Sequence, residues 1–87
     1  WGLSTTTPRD QVKLLNNIFY KSSILTANSR DYINELMSNV NADQNWGISA
    51  SSDHYALKNG WLENGREKWI VNSIGYIKND DGTSYTI

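Results

Sequence analysis

Lys58 stands near the rim of a short apolar stretch, H-Y-A-L-K-N-G-W from His54 to Trp61, with a glycine two residues on. A lysine there offers a compact cation on a flexible stem, suited to docking an anion, and Gly60 leaves room for a ligand to approach the backbone. Other chemistry is sparse. His54 is the sole histidine and there is no cysteine, so neither a histidine cluster nor a thiolate site for zinc can form. Asp53 stands next to His54, but adjacent strand residues point to opposite faces. Asp80-Asp81-Gly82 resembles a piece of a calcium loop, yet no glutamate follows at the required distance and a turn accounts for it. The scattered glycines make no phosphate-cradling loop. Serines are plentiful, but no S-x-x-K, S-D-N or G-x-S-x-G occurs, and an unactivated hydroxyl is a poor nucleophile. The residues imply no cofactor and no metal, and the chain alone lacks the parts of an enzyme.

Positioning Lys58 falls to a small set of elements. Thr7-Pro8-Arg9-Asp10 starts a helix: a capping threonine, proline at the first position and an acid placed for a capping box. Val12, Leu15 and Phe19 recur at helical spacing, with Leu14 and Ile18 widening the stripe, which predicts a helix over 8–20 with Lys13 and Lys21 solvated. A second helix is expected over 26–40. Thr26 or Asn28 caps it, Ile33, Leu36, Met37 and Val40 mark its apolar face, and Arg30, Asp31 and Glu35 turn outward. Residues 39–53 are rich in Asn, Asp, Ser and Ala and read as an irregular connection anchored by Trp46-Gly47-Ile48.

From His54 onward the period becomes two. Tyr55–Lys58 reads as a strand, Glu63–Arg66 as a turn, Trp69–Ile77 as a long strand, Asn79–Gly82 as a hairpin turn and Tyr85–Ile87 as a third strand. The expectation is an α+β domain, residues 1–87, in which two helices precede a three-stranded antiparallel meander over 54–87. The long strand carries large apolar groups on both faces: Ile70, Ile74 and Tyr76 on one, Trp69, Val71 and Ile77 on the other. Two short helices do not cover both, so further protein is expected on the second face, and the domain is expected to be incomplete. Both ends read as cuts as well, because Trp1 stands where a start methionine would and S-Y-T-I closes the chain as a strand begins.

With 87 residues, 20% of them charged, and a net charge of -1, the chain falls in the globular range with no basic stripe for nucleic acid. No apolar run reaches the roughly 20 residues that span a bilayer, so no membrane insertion is expected.

Several segments, taken in order, resemble the C-terminal part of the penicillin-recognising serine hydrolases, of the class A β-lactamase type and its Gram-positive serine-hydrolase relatives. T-T-T-P-R-D at Thr5–Asp10 is similar to the opening of a helix in that fold, and Leu25–Arg30 followed by Ile33–Met37 to its next helix. Ala56-Leu57-Lys58-Asn59-Gly60 falls where the family carries its third signature, K-[ST]-G, and Val71–Ile77 and Tyr85–Ile87 resemble the two strands that follow. The similarity spans essentially the whole chain.

The resemblance implies roles. Lys58 would keep the site positive and dock a substrate carboxylate, and Gly60 would let substrate approach the strand. The backbone N–H of Trp61 would be one oxyanion donor, a group worth roughly 3 kcal/mol in transition-state stabilisation. Asn59 replaces the family's hydroxyl residue; its amide would donate a hydrogen bond, and its different shape argues mildly against an efficient lactamase. The nucleophile, its S-x-x-K and the S-D-N element would come from the missing N-terminal part of the same polypeptide. The resemblance thus implies an extracellular or cell-surface acyl-transfer hydrolase acting on a cell-wall peptide or small acyl substrate. Two alternatives stay open: a non-catalytic cell-wall binding module using Trp61, Trp69 and Tyr76, or a small structural domain that pairs through its sheet as a homo-oligomer or by segment swapping.

Overall fold

In a computed structural model, which describes residues 2–20, 24–65 and 68–87, two helices are followed by one antiparallel sheet. Helix α1 spans Pro8–Phe19. It starts where the capping pattern places it: Thr7 Oγ1 accepts from the Asp10 N–H at 3.2 Å and donates to the Asp10 carboxylate at 3.0 Å. Such a cap is worth about 1 kcal/mol. Helix α2 spans Ala27–Ser38 with Thr26, not Asn28, as its cap. It ends two residues before the expected limit because Asn39 leaves helical geometry (φ -121, ψ 42) while its side chain caps the Glu35 carbonyl. Leu14, Leu36 and Tyr32 lie exposed, so each apolar stripe is narrower than the spacing suggests. Lys13 is solvated as expected; Lys21 and Arg66 lie outside the described residues.

Strands β1 (Tyr55–Glu63), β2 (Trp69–Lys78) and β3 (Ser84–Thr86) form a meander in the order β1-β2-β3, so β1 is an edge. Tyr55 pairs with Ile77 and Glu63 with Trp69. Strand β1 runs five residues past the expected Lys58. Asn59 and Gly60 are poor strand formers alone, and pairing along β2 overrides that preference. Reciprocal Gly75–Ile87 bonds of 2.8 and 2.9 Å carry the β2–β3 ladder one step beyond Thr86. The hairpin turn at Asn79–Gly82 is as expected: Gly82 adopts φ +86, and Asp81 Oδ1 accepts from the Thr83 N–H at 2.9 Å. The Thr83 hydroxyl also donates to this oxygen, at 2.6 Å; that bond first, and the N–H bond second, favour the charged carboxylate and hold the Asp81 pKa below its ordinary value.

The two faces of the sheet are covered differently. On one, α1 packs by stacking Phe19 on Tyr76 at 4.6 Å, and the Thr86 hydroxyl donates to Asn16 Oδ1 at 2.9 Å. On the other, the connection after α2 folds back as two 3₁₀ turns, Ala42–Gln44 and Gly47–Ala50. The second turn seats Ile48 on Leu57 and Ile77, with Val40 and Tyr55 alongside. This core is small, and it occupies only the end of the sheet near β3. At the far end Trp61, Trp69, Ile70 and Val71 are 44%, 60%, 48% and 58% exposed. The apolar groups of β2 at that end, Trp69, Ile70 and Val71, are therefore about half exposed, and they lie on both faces.

Candidate functional site

The ladder fixes which groups of β1 face outward. Lys78 donates its N–H to the His54 carbonyl at 2.9 Å, and Asn64 donates to the Lys68 carbonyl at 3.0 Å. Antiparallel pairs alternate between bonded and non-bonded positions, so the even-numbered residues of β1 bond to β2. The odd-numbered ones, Asn59 and Trp61 among them, turn N–H and C=O toward the free edge. An independent contact agrees: the Asn59 carbonyl, free of β2, receives the Lys58 ammonium.

Side chains follow the same alternation. Lys58, Gly60 and Leu62 lie on the face that α1 packs against, while Asn59, Trp61 and Glu63 share the face of the 3₁₀ turns. A cleft of about 490 Å³ wraps the edge between these two rows, with Gln44 and Trp69 completing its walls. Lys58 is exposed there. Gly60 has no atom within 4 Å of where a Cβ would stand, and its φ is not in the left-handed region. Among the described residues nothing requires a glycine at that position. Trp61 is braced edge-on by Trp46, with ring centroids 5.9 Å apart.

Asn59 behaves differently from the expectation of a substrate contact. It is 5% exposed, and its Nδ2 donates to the carbonyls of Gln44 and Trp46 at 2.8 and 2.9 Å. Both amide hydrogens are thus committed within the chain, and the substrate-facing donor expected of this side chain is spent on the connection. Its Oδ1 is buried and has no hydrogen-bond partner among the described residues. Gln44, which lies in a stretch read only as a connection, and Glu63, read as the start of a turn, are cleft residues that sequence reasoning missed. The strand alternation from Asn59 through Trp61 extends naturally to Glu63; for Gln44 the sequence carries no such signal.

Among the described residues the remaining titratable groups do not converge on the cleft. His54 Nε2 lies 3.9 Å from Asp80 Oδ1, both side chains mostly exposed, at the opposite end of β1. Among the described residues no three His, Cys, Asp or Glu side chains gather to hold a metal, and no helix is long and apolar enough to cross a membrane. No protein-family model, curated protein or solved structure matches this chain.

Proposed function

We propose that this chain forms the strand side of an acyl-transfer cleft, the C-terminal part of a serine hydrolase acting on an amide, ester or lactam and inactive by itself. One observation carries the proposal: the Trp61 N–H points out of the free edge, beside an unobstructed Gly60 and the Lys58 ammonium. In that arrangement a carbonyl laid along the edge would place its oxygen at the Trp61 N–H, where charge develops during attack. Lys58 would hold an anionic group of the same substrate. A serine from polypeptide outside this chain would attack the carbonyl carbon, forming the ester bond as the amine or alcohol leaves with a proton. The reaction so drawn calls for no cofactor or metal, and a cell-wall peptide or small acyl compound at the cell surface would be the substrate.

The half-exposed end of the sheet supports the same picture, because the nucleophile-bearing segment would also supply its cover. It supports a second reading too, in which the sheet pairs with another copy or a partner and performs no chemistry. Covalent labelling separates the two. The 87-residue chain is expected to take up no fluorescent penicillin or activated-ester probe, whereas the natural polypeptide extended upstream from the same reading frame labels at one serine. Stoichiometric labelling of the short chain, or an extended polypeptide inert to both lactam and ester probes, refutes the hydrolase.

A further inference from the structure

Asn59 and Ser73 sit directly opposite each other in the β1–β2 register, on the face that carries the 3₁₀ turns. Each makes a bond away from the sheet. Asn59 Nδ2 donates to the Gln44 and Trp46 carbonyls, and Ser73 Oγ accepts from the Ile48 N–H at 3.1 Å. Carbonyl oxygens cannot donate, so only an amide NH₂ turned toward residues 44 and 46 fits; the side-chain orientation follows from the partners. Gly47 belongs to the same contact. Its φ is +75, and a Cβ there would run into the Ser73 hydroxyl. Three carbonyl or amide groups of one irregular segment are thus sewn to one cross-strand pair.

We infer that Asn59 is a positioning residue: it holds residues 44–48 against β1, which sets Gln44 in the cleft wall, and its own amide does not touch the ligand. The inference rests on the cleft assignment made above and adds how the cleft is shaped. Asn59 fixes the backbone on either side of Asn45, and through it two cleft features. One is Gln44, which lines the cleft; the other is Trp46, which braces Trp61, whose N–H would receive the oxyanion. Serine or threonine at position 59 would reach at most one of the two carbonyls. Aspartate would aim a negative charge at both and cannot donate when ionised. The asparagine is the shape the segment requires.

The test is hydrogen exchange of the 87-residue chain, read on peptides covering 44–48 and on β2–β3 peptides as an internal reference, with near-UV circular dichroism reporting the Trp46–Trp61 pair. Asn59→Ala is expected to raise exchange at 44–48 by about tenfold or more, the loss of one or two net hydrogen bonds, and to weaken the tryptophan signal, while β2–β3 stays protected. Gln44→Ala, which keeps the bonded backbone carbonyl, is expected to match wild type in both. Unchanged protection at 44–48 in Asn59→Ala overturns the inference, as does equal loss across the whole sheet, which would make Asn59 an ordinary core residue. Should Asn59→Ala not fold, Asn59→Ser decides instead: a partial rise confined to 44–48 supports the strut, and none removes it. The acyl-transfer reading can fail separately. If the extended polypeptide labels with no acyl probe, that reading falls while the exchange result still decides the role of Asn59.

Discussion

Two glycines of the sheet undergo the same substitution with opposite expected results. At Gly75 an added Cβ would lie 2.5 Å from the Ala56 carbonyl oxygen and 3.0 Å from Ile48 Cγ2. An ordinary carbon–oxygen contact is about 3.3–3.6 Å, so the β1–β2 backbones must part by roughly an ångström or Ile48 must lift from the core. Overpacking of this kind costs about 1–3 kcal/mol. The lower chain entropy of unfolded alanine returns about 0.4–1 kcal/mol of that. The net loss is then roughly 1–2 kcal/mol, or about 5–15 °C in Tm for a domain of this size. At Gly60 nothing among the described residues stands within 4 Å, so Gly60→Ala is expected to leave Tm unchanged or raise it by a few degrees. The methyl group would stand at the cleft edge instead. In the extended polypeptide Gly60→Ala is expected to slow ester-probe labelling by about tenfold, some 1.4 kcal/mol of transition-state binding. Thermal melts of the two variants of the 87-residue chain, with labelling rates for the extended one, decide the matter. A Gly75→Ala protein as stable as wild type, or a Gly60→Ala protein that melts well below it, would refute the packing on which both expectations rest.

Lys58→Ala, in the extended polypeptide, should reduce kcat/KM for carboxylate-bearing esters by about 10- to 100-fold, as expected for loss of a hydrogen bond to a charged group. Neutral esters of the same leaving group should lose far less, and equal losses for both would remove the anion-docking role. Ile48→Ala deletes the side chain that joins the 3₁₀ turn to Leu57 and Ile77; urea unfolding should show a loss of about 2–4 kcal/mol, a large part of the roughly 4–13 kcal/mol typical for a chain this long. For Asp81 the folded pKa lies below the unfolded one, so its contribution is present above about pH 4 and fades as pH falls through the folded value. Between about pH 5 and pH 3, Tm of the wild type should therefore drop more steeply than that of Asp81→Asn; parallel curves would contradict the Thr83 bonds as the cause.

Much of the architecture was legible because local chemistry and tertiary packing agree. Thr7 and Thr26 cap where their spacing says they must, the period changes from helical to alternating at Tyr55, and Asn79–Gly82 turns as its residues require. The misses share a cause. The length of β1 is set by its partner strand, and no property of Asn59-Gly60 announces it. The fit of Ile48 under Gly75 and the double bond from Asn59 to residues 44 and 46 join segments far apart in sequence. Lys58, Gly60 and Trp61 were singled out by the family resemblance alone, and they line one cleft because a single strand carries all three. Gln44 joins them from a stretch whose composition says only that it is irregular.

The alternation along β1 also constrains the gene. With the register held at His54, inserting or deleting one codon between His54 and Lys58 would exchange inside for outside: the Trp61 N–H would enter the ladder and Lys58 would change faces. A two-codon change keeps every group on its side but slides the cluster by about 7 Å along the strand. Length variation here is thus filtered by parity, and tolerated indels should come in even numbers or fall beyond the strand's ends.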